Sequence, residues 1–303
     1  MTKKLRLLSG FIFVFLILAG IGCKKKDTAT TTTPVLNSTD VKFLGHKGAG
    51  NNNYEDLYME MTTPSFIEAL KTMDGVEIDA QMSLDGTVWM LHDSYITNCC
   101  TCPVTYTPAL YNLHDSEIAQ IQLCADGRQD RIYKLSELIT LWNNTSGGFS
   151  LDIEVKQADL NQDTINNIGG MSAYISKMAD EIDTLFAVRN NPNTQIMFEV
   201  DDTTFCRKLR TSYPGFKFCL FRYGFNSLSD YADTAIALGY EGISENFTNS
   251  YVTASSVKAV RDRGLLVQLW TPYSKAELTA AFDMDPNFIQ TDNMGAKADL
   301  NVK

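Results

Sequence analysis

The sequence predicts a (β/α)₈ barrel, the TIM-barrel class of α/β fold, with an insertion after the second strand. Eight short runs rich in β-branched and aromatic residues alternate with stretches of helical period from residue 41 onward. No linker divides this part of the chain, and 303 residues suit one α/β barrel as well as two smaller domains. A doubly wound open sheet would give the same alternation and remains an alternative.

The predicted strands are short runs of Val, Ile, Phe and Tyr bounded by turn residues. They cover residues 42–46, 75–82, 150–156, 195–201, 217–223, 241–245, 265–271 and 287–291. The predicted helices have apolar residues three and four positions apart, and several begin at a capping serine, such as Ser65, Ser136 and Ser274. They cover residues 65–73, 136–142, 171–189, 203–211, 228–238, 254–263 and 275–282.

Residues 93–131 interrupt this alternation and form the predicted insertion. They contain Cys99, Cys100, Cys102 and Cys124, together with two prolines and a short helical stretch. Since the insertion follows the second strand, we expect it at the end of the barrel where active sites are built. A substrate lid and a disulfide-stabilised excursion both fit this pattern.

The composition is that of a folded, acidic protein. The chain is 44% hydrophobic, and 26 Lys and Arg residues stand against 36 Asp and Glu residues, for a net charge of −10. A net negative charge of this magnitude argues against nucleic acid as a partner. It still permits binding of a small phosphate ester, provided that a metal cation lies between the carboxylates and the anion.

The first 22 residues predict a signal peptide. Lys3, Lys4 and Arg6 precede an apolar run over residues 11–19, which is far shorter than the ~20 residues of a transmembrane helix. Residues 18–23 resemble the processing box of bacterial lipoproteins, in which the cysteine becomes the lipidated first residue. Cys23 would then attach the mature chain to a membrane, although a glycine stands where a leucine is usual, so plain cleavage is the alternative.

Residues 23–40 predict a flexible tether, because three lysines and a threonine-rich tract follow Cys23 without any apolar period. The lysines could contact anionic lipid headgroups or be part of a solvated spacer. Residues 41–303 would form the barrel, outside the cytoplasm on the periplasmic or cell-surface side of a membrane. The sequence does not indicate an oligomeric state.

Export would place the other six cysteines in an oxidising compartment, where they favour disulfides. The cluster Cys99-Cys100-Thr101-Cys102 lacks the paired Cys-x-x-Cys spacing of a zinc site, so disulfides fit it better than a metal. Cys206 lies in a predicted helix and Cys219 in the next predicted strand, which makes them a plausible pair.

Two carboxylates on the second strand predict the centre of a site. Glu77 and Asp79 are two residues apart and therefore share one face of the strand, while Val76 and Ile78 take the other face. Val and Ile suit the outer surface where helices pack, so the acids should point into the barrel. Buried carboxylates are costly without a compensating charge.

Glu154 is the predicted third acid, because Ile153 and Val155 mark the opposite face of its strand in the same way. Three carboxylates suit a hard divalent cation, Ca²⁺ or Mg²⁺, with water and substrate oxygen completing its coordination. The alternative is that these carboxylates lie on the solvent face of an amphipathic strand.

His46 and His92 are two of the three histidines, and both follow predicted strands near the acids. Two imidazoles can divide the roles of base and acid at neutral pH. The third, His114, is interpreted as a surface or capping residue of the insertion.

The order and spacing of these motifs resemble the glycerophosphodiester phosphodiesterase family from Val41 to about Ala296. The family motifs are His-Arg-Gly, Glu-Asn-Thr, a phenylalanine followed by Ala-Leu, Glu-x-Asp, Asp-Gly and His-Asp. The corresponding residues are His46-Lys47-Gly48, Glu60-Met61-Thr62, Phe66, Ala69-Leu70, Glu77 and Asp79, Asp85-Gly86, and His92-Asp93. Later family signatures are similar to Glu154-Val155-Lys156, Trp270-Thr271 and Thr291-Asp292.

The resemblance implies a (β/α)₈ barrel that hydrolyses glycerophosphodiesters to glycerol 3-phosphate and an alcohol. It implies His46 and His92 as general acid and base, and Glu77, Asp79 and Glu154 as ligands of a divalent cation. A hydroxyl of the glycerol moiety would attack phosphorus, and water would then open the cyclic phosphate.

The resemblance further implies Lys156 as a catalytic residue facing the phosphate, and Lys47, Glu60 and Trp270 as substrate-binding residues. Two positions depart from the family motifs. Lys47 replaces an arginine, which keeps the charge but loses a bidentate phosphate contact. Met61 replaces an asparagine, which removes a polar group.

Two other functions are compatible with the same residues. The barrel could act on intact or lyso-phospholipids, helped by the lipid anchor and Trp270. It could also be a phosphodiester-binding lipoprotein that has lost catalysis, given the departures at Lys47 and Met61. The retained histidines and acids argue against this second alternative.

Overall fold

A computed structural model describes residues 40–50, 58–97, 99–102, 109–125, 127–145, 147–157, 169–188 and 194–302. The predicted signal peptide, Cys23 and all of the tether except Asp40 lie outside these residues. Within the described ranges, no helix has the length and apolar composition needed to span a bilayer.

Eight parallel strands of the described chain close into a barrel, which confirms the predicted fold and excludes the open sheet. They are β1 Lys42–Gly45, β2 Gly75–Met82, β3 Ser150–Val155, β4 Gln195–Val200, β5 Lys217–Leu220, β6 Gly242–Asn246, β7 Leu266–Trp270 and β8 Phe288–Thr291. Each strand pairs with the next in chain order. The barrel closes where β8 pairs with β1, with Thr291 opposite Gly45. This closure brings the two ends of the folded chain to one place.

Helices follow the strands around the outside of the barrel. They are Thr63–Ala69, Leu135–Asn144, Met171–Ala187, Thr203–Ser212, Leu228–Leu238, Ala254–Arg261, Lys275–Asp283 and Ala296–Asp299. Ser274 caps its helix as predicted, accepting a hydrogen bond from the amide of Glu277. The predicted caps Ser65 and Ser136 are wrong: Thr62 and Lys134 hold those positions. In the second case the Glu137 carboxylate accepts from the Lys134 amide, so the capping oxygen comes from inside the helix.

The segment between β2 and β3 carries additional small elements. The strands Val88–Met90 and Tyr133–Lys134 extend the sheet beyond β2 in antiparallel fashion, and a separate hairpin joins Gln122–Ala125 to Arg128–Arg131. The short helix Asp115–Ile118 lies between the strand Val88–Met90 and the hairpin in the chain. Apolar residues of this segment, together with Met59, pack into a cluster separate from the main core.

Disulfides join the cysteines of this segment. Cys99 bonds to Cys102, and Cys100 bonds to Cys124. The predicted preference for disulfides over a metal is therefore confirmed here. The pairing of Cys206 with Cys219 is wrong, because both are buried free thiols. Cys219 is buried on β5 beside the carboxylates of the barrel interior, whereas Cys206 lies on a helix, so the two cysteines belong to different layers.

The buried part of the barrel contains a small apolar cluster and a polar layer. Leu44, Met197 and Phe288 pack together in the apolar cluster. In the polar layer, the Nε2 atom of Gln268 donates to Asp152 Oδ2 and Glu199 Oε1, each at 2.6 Å. Burial raises the pKa of both carboxyls, so a shared proton relieves their repulsion. This layer forms the floor beneath the residues at the carboxyl ends of the strands.

An aromatic cluster between the barrel and its helices provides a test of the core. The ring of Phe198 on β4 lies within 5.4–6.3 Å of the rings of Phe186, Phe205, Phe216 and Phe218. We expect Phe198→Ala to lower the free energy of unfolding by about 3–5 kcal/mol, because the cavity it leaves cannot be refilled by neighbouring rings.

Urea unfolding followed by circular dichroism measures this effect. The matched control is Ile236→Ala, which removes an apolar side chain that is 45% exposed and should change stability by less than about 0.5 kcal/mol. Equal losses in the two variants would contradict the assignment of the core.

Candidate active site

Three carboxylates on β2 and β3 meet in one cluster. Glu77 and Asp79 come from β2 and Glu154 from β3, where Asp79 and Glu154 are direct neighbours in the register. One oxygen from each side chain lies within 4.8 Å of the others. Glu77 and Asp79 are only 1% and 0% exposed. This burial confirms the prediction, made from the alternation of side chains along each strand, that these acids point into the barrel.

The protein environment shifts the pKa values of these three acids in different directions. Burial, together with the charges of Asp79 and Glu154, holds the pKa of Glu77 well above its ordinary value. Burial and the charge of Asp79 raise the pKa of Glu154 to about 7. Burial also acts to raise the pKa of Asp79, but Lys156, His92 and Lys47 outweigh it and lower that pKa to about 2. With all three acids ionised, the cluster would therefore carry more negative charge than its protein surroundings neutralise.

These acids fit a divalent cation. Both the Ca²⁺ and the Mg²⁺ ions found in proteins are bound chiefly by carboxylate, carbonyl and water oxygens. Asp79 Oδ2 is buried and accepts no hydrogen bond from any described residue, so it is an oxygen suited to a ligand. Buried acceptors are normally satisfied, which makes this one informative.

Lys156, just after β3, is the nearest cation to the cluster. Its Nζ atom lies 2.8 Å from Glu154 Oε1 and 3.2 Å from Asp79 Oδ1. Burial acts to lower the pKa of Lys156, but the two carboxylates outweigh it and hold that pKa above its ordinary value. The ammonium therefore stays charged at neutral pH and can face an anion at the same site.

His46 follows β1 and is held by an aspartate from the last strand. Its Nδ1 atom lies 2.7 Å from Asp292 Oδ1, and its Nε2 atom lies 4.0 Å from Glu77 Oε2. The side chain is 18% exposed. Asp292 follows β8, so this contact exists only because the barrel closes. The ring thus turns Nε2 toward the acidic cluster.

His92 has a similar carboxylate partner in the next residue. Its Nδ1 atom lies 2.8 Å from Asp93 Oδ1, and Thr97 donates to Asp93 Oδ2 at 3.1 Å. Gln81 fixes this loop by donating to the Leu91 and Asp93 carbonyls, each at 2.8 Å. His46 and His92 both act to lower the pKa of Asp79, which places the two rings near the same carboxylate.

The loop after β1 supplies further polar groups. The Lys47 amide donates to Glu77 Oε2 at 2.9 Å, and Lys47 Nζ lies 3.8 Å from Glu60 Oε2. Met61 is buried, and its sulfur accepts a hydrogen bond from the Asp79 amide at 3.5 Å. One departure from the family motifs thus lies directly against the acidic cluster.

Trp270 is the last residue of β7. It packs edge-on against Phe221 at 5.9 Å, and Phe221 contacts Tyr223 at 5.3 Å. Trp270 Nε1 is buried and has no acceptor among the described residues. The structure therefore separates the predicted substrate-binding residues into two groups.

Two cavities lie near these residues: one includes Glu60 in its lining, and the other includes Phe221, the ring that Trp270 contacts. A 20 Å³ cavity is lined by Glu60 and by residues of the insertion, such as Tyr95 and Ile96. A larger cavity of 250 Å³ includes Glu154 and Lys156 in its lining. Its remaining walls are formed by Val155, Gln157, Val200, Asp201, Phe221, Arg222 and Tyr223.

Sequence reasoning missed several of these residues. It did not identify Asp292 as the partner of His46, nor Asp201, Phe221 and Arg222 as residues of the mouth. The usable signal was their position, since polar or aromatic residues directly after a barrel strand lie at the active-site end. His114 is 60% exposed and caps the short helix of the insertion, as predicted.

Comparison with known proteins matches the chain to a family. The model of the Glycerophosphoryl diester phosphodiesterase family matches residues 46–296. The comparison with curated proteins finds no match.

Solved structures with low sequence identity share the fold. A structure from Silicibacter pomeroyi has a TM-score of 0.69 at 18% identity, covering 87% of this chain and 95% of its own. An Oleispira antarctica phosphodiesterase, in complex with the product sn-glycerol-3-phosphate, has a TM-score of 0.66 at 15% identity, with coverage of 86% and 96%. A glycerophosphodiester phosphodiesterase from Parabacteroides distasonis has a TM-score of 0.63 at 14% identity, again with coverage of 86% and 96%.

The raised pKa of Glu154 predicts that cation binding depends on pH. Below about pH 7 this carboxyl is protonated, and a cation must displace the proton to bind. Affinity should therefore fall by up to about tenfold for each pH unit below 7. We expect the rise in Tm on adding Ca²⁺ to be larger at pH 8 than at pH 6.

Thermal unfolding with and without Ca²⁺ at the two pH values measures this difference. Glu154→Gln should reduce the Ca²⁺-induced rise at pH 8. Glu277→Gln removes the same charge from an exposed helix start and should behave like the wild type. An equal rise at both pH values in the wild type would be inconsistent with a proton-competing site.

Proposed function

Because the chain belongs to the glycerophosphoryl diester phosphodiesterase family and is thereby a phosphoric diester hydrolase, we propose that it hydrolyses glycerophosphodiesters to glycerol 3-phosphate and an alcohol, using a divalent cation. The observation that carries this proposal is the meeting of two histidine–carboxylate pairs with three acids at one mouth of the barrel.

The ligand set for the cation is Glu77, Asp79 and Glu154. A bound Ca²⁺ or Mg²⁺ would neutralise phosphate charge and so favour attack at phosphorus. Lys156 Nζ, 2.8 Å from Glu154, adds a positive charge beside the same position. Lys47 supplies another on the side of the first histidine. These cations bind the diester and stabilise the charge that develops in the transition state.

The two histidines exchange protons with the oxygens around phosphorus. Asp292 and Asp93 each hold the Nδ1 atom of one ring, which leaves Nε2 of His46 and His92 for the reacting groups. One imidazole takes the proton of the attacking hydroxyl, and the other gives a proton to the departing alcohol oxygen. In the two-step route the attacking hydroxyl is that of the glycerol moiety, and water then opens the cyclic ester.

We further propose that the enzyme works outside the cytoplasm on a membrane tether. Support comes from the signal-peptide pattern before Cys23. The disulfides Cys99–Cys102 and Cys100–Cys124 suit an oxidising compartment and would be unusual in a reducing one.

The acid–base roles are tested by replacing each histidine. His46→Gln and His92→Gln should each lower kcat by about 10²–10⁴-fold, because each removes one proton transfer from the reaction. The measurement is release of glycerol 3-phosphate from glycerophosphodiesters in the presence of Ca²⁺ or Mg²⁺, with circular dichroism to verify folding.

His114→Gln is the matched control, because this exposed histidine pairs with Asp85 in the insertion. It should retain wild-type turnover. If either His46→Gln or His92→Gln kept near-wild-type turnover, that residue would not be the acid or the base.

A further inference from the structure

The 250 Å³ cavity opens directly beside the acidic cluster. It shares Glu154 and Lys156 with that cluster and extends past the carboxyl ends of β4 and β5 to Asp201 and Tyr223. A single water needs only about 10–15 Å³ on the same scale, so the cavity has room for a whole headgroup. The cavity on the Glu60 side measures 20 Å³ and has room for little more than a water. The larger cavity is therefore the place for the bulkier part of a diester.

The charged groups of this cavity are paired with one another. Lys156 Nζ lies 2.8 Å from Glu154 Oε1. Arg222 Nε donates to Asp201 Oδ2 at 2.6 Å, and its Nη2 donates to the other oxygen of the same carboxylate. Each positive charge thus has its own negative partner. If Glu154 also binds a cation, the net charge of the groups lining the cavity becomes more positive.

Because the charges of the lining are paired, the cavity gives no electrostatic advantage to a cationic headgroup. A quaternary ammonium is bound well where aromatic faces combine with uncompensated negative charge. Here Arg222, with a side chain that is 40% exposed, presents a positive charge at the cavity. An ammonium brought close to it would meet a like charge, which disfavours binding.

The same walls suit hydroxyl groups. Arg222 donates to Asp201 through Nε and Nη2, and its other terminal nitrogen has no acceptor among the described residues. The Gln157 Oε1 atom accepts from the Asp201 amide at 3.2 Å, and the amide nitrogen of Gln157 has no acceptor within the described part of the chain. Phe221 and Tyr223 provide flat apolar surfaces beside these polar groups. A hydroxyl both donates and accepts hydrogen bonds and can use donors and carboxylate acceptors together.

Resting on the proposed function, we infer that the departing alcohol is a neutral polyol, such as glycerol or inositol, and not an organic cation, such as choline or ethanolamine. The aromatic wall packs against the carbon skeleton of the polyol. Asp201, Arg222 and Gln157 bind its hydroxyl groups.

The test compares four diesters that all release glycerol 3-phosphate. The purified full chain is assayed with Ca²⁺ or Mg²⁺ on glycerophosphoinositol, glycerophosphoglycerol, glycerophosphocholine and glycerophosphoethanolamine. We expect kcat/KM for the two polyol diesters to exceed that for the two ammonium diesters by about tenfold or more, as the loss of one hydrogen bond to a charged group would give.

Arg222→Gln tests the cause of this preference. It leaves the Asp201 carboxylate without its cation, so turnover of the polyol diesters should fall while that of the ammonium diesters rises. Arg263→Gln removes the same charge from an ion pair with Asp233 on the outer helices and should leave the preference unchanged. Tyr223→Ala is a second variant. Tyr223 is 65% exposed, so this substitution should not destabilise the core. It should raise KM for the polyol diesters several-fold.

The outcomes separate this inference from the proposed function. Preference for the ammonium diesters, or the same preference in wild type and Arg222→Gln, would overturn the inference while hydrolysis itself stands. The absence of glycerol 3-phosphate from all four diesters would overturn the proposed function and the inference together. A polyol preference that is lost in Arg222→Gln and kept in Arg263→Gln supports both.

Discussion

Three carboxylates, two of them fully buried, lie within 4.8 Å of one another, and the other polar groups of the site are arranged around this concentration of acids. Like charges at such distances repel strongly where the dielectric constant is low. Burial raises the pKa values of Glu77 and Glu154, and repulsion by Asp79 raises them further. Lys156 offsets part of it, and a divalent cation bound by the same oxygens would offset the remainder. A cluster that can ionise fully only beside an added positive charge is suited to binding a cation.

Closure of the barrel supplies the geometry that the chemistry needs. Neighbouring strands place Asp79 beside Glu154, although 74 residues separate them in the chain. The contact between the first and last strands brings Asp292 to His46. His92 receives its carboxylate from the following residue, and Gln81 on β2 holds that loop from below. His46 and His92 thus each have an aspartate partner, but one partner comes from the far end of the chain and the other from the next residue.

Local patterns in the sequence were sufficient for the fold and for the three acids. Alternation along a strand decides which side chains enter the barrel, so Glu77, Asp79 and Glu154 could be predicted from their neighbours. Contacts across the barrel could not be predicted in this way. His46, Asp292, Asp201 and Arg222 all stand in loops just after their strands. There the alternation of a strand no longer decides which way a side chain points, so these pairings are not encoded locally. The pairing of Cys206 with Cys219 failed for the same reason, since closeness in the chain says little about which layer a side chain enters.

If the acidic cluster makes the two histidines productive by holding a divalent cation, removal of the cation must abolish turnover. The measurement is the rate of glycerol 3-phosphate release from a glycerophosphodiester after exhaustive treatment with a chelator, followed by stepwise return of Ca²⁺ or Mg²⁺. We expect turnover to be lost after chelation and to recover with one cation per chain. Full turnover in excess chelator would contradict a role for the cation.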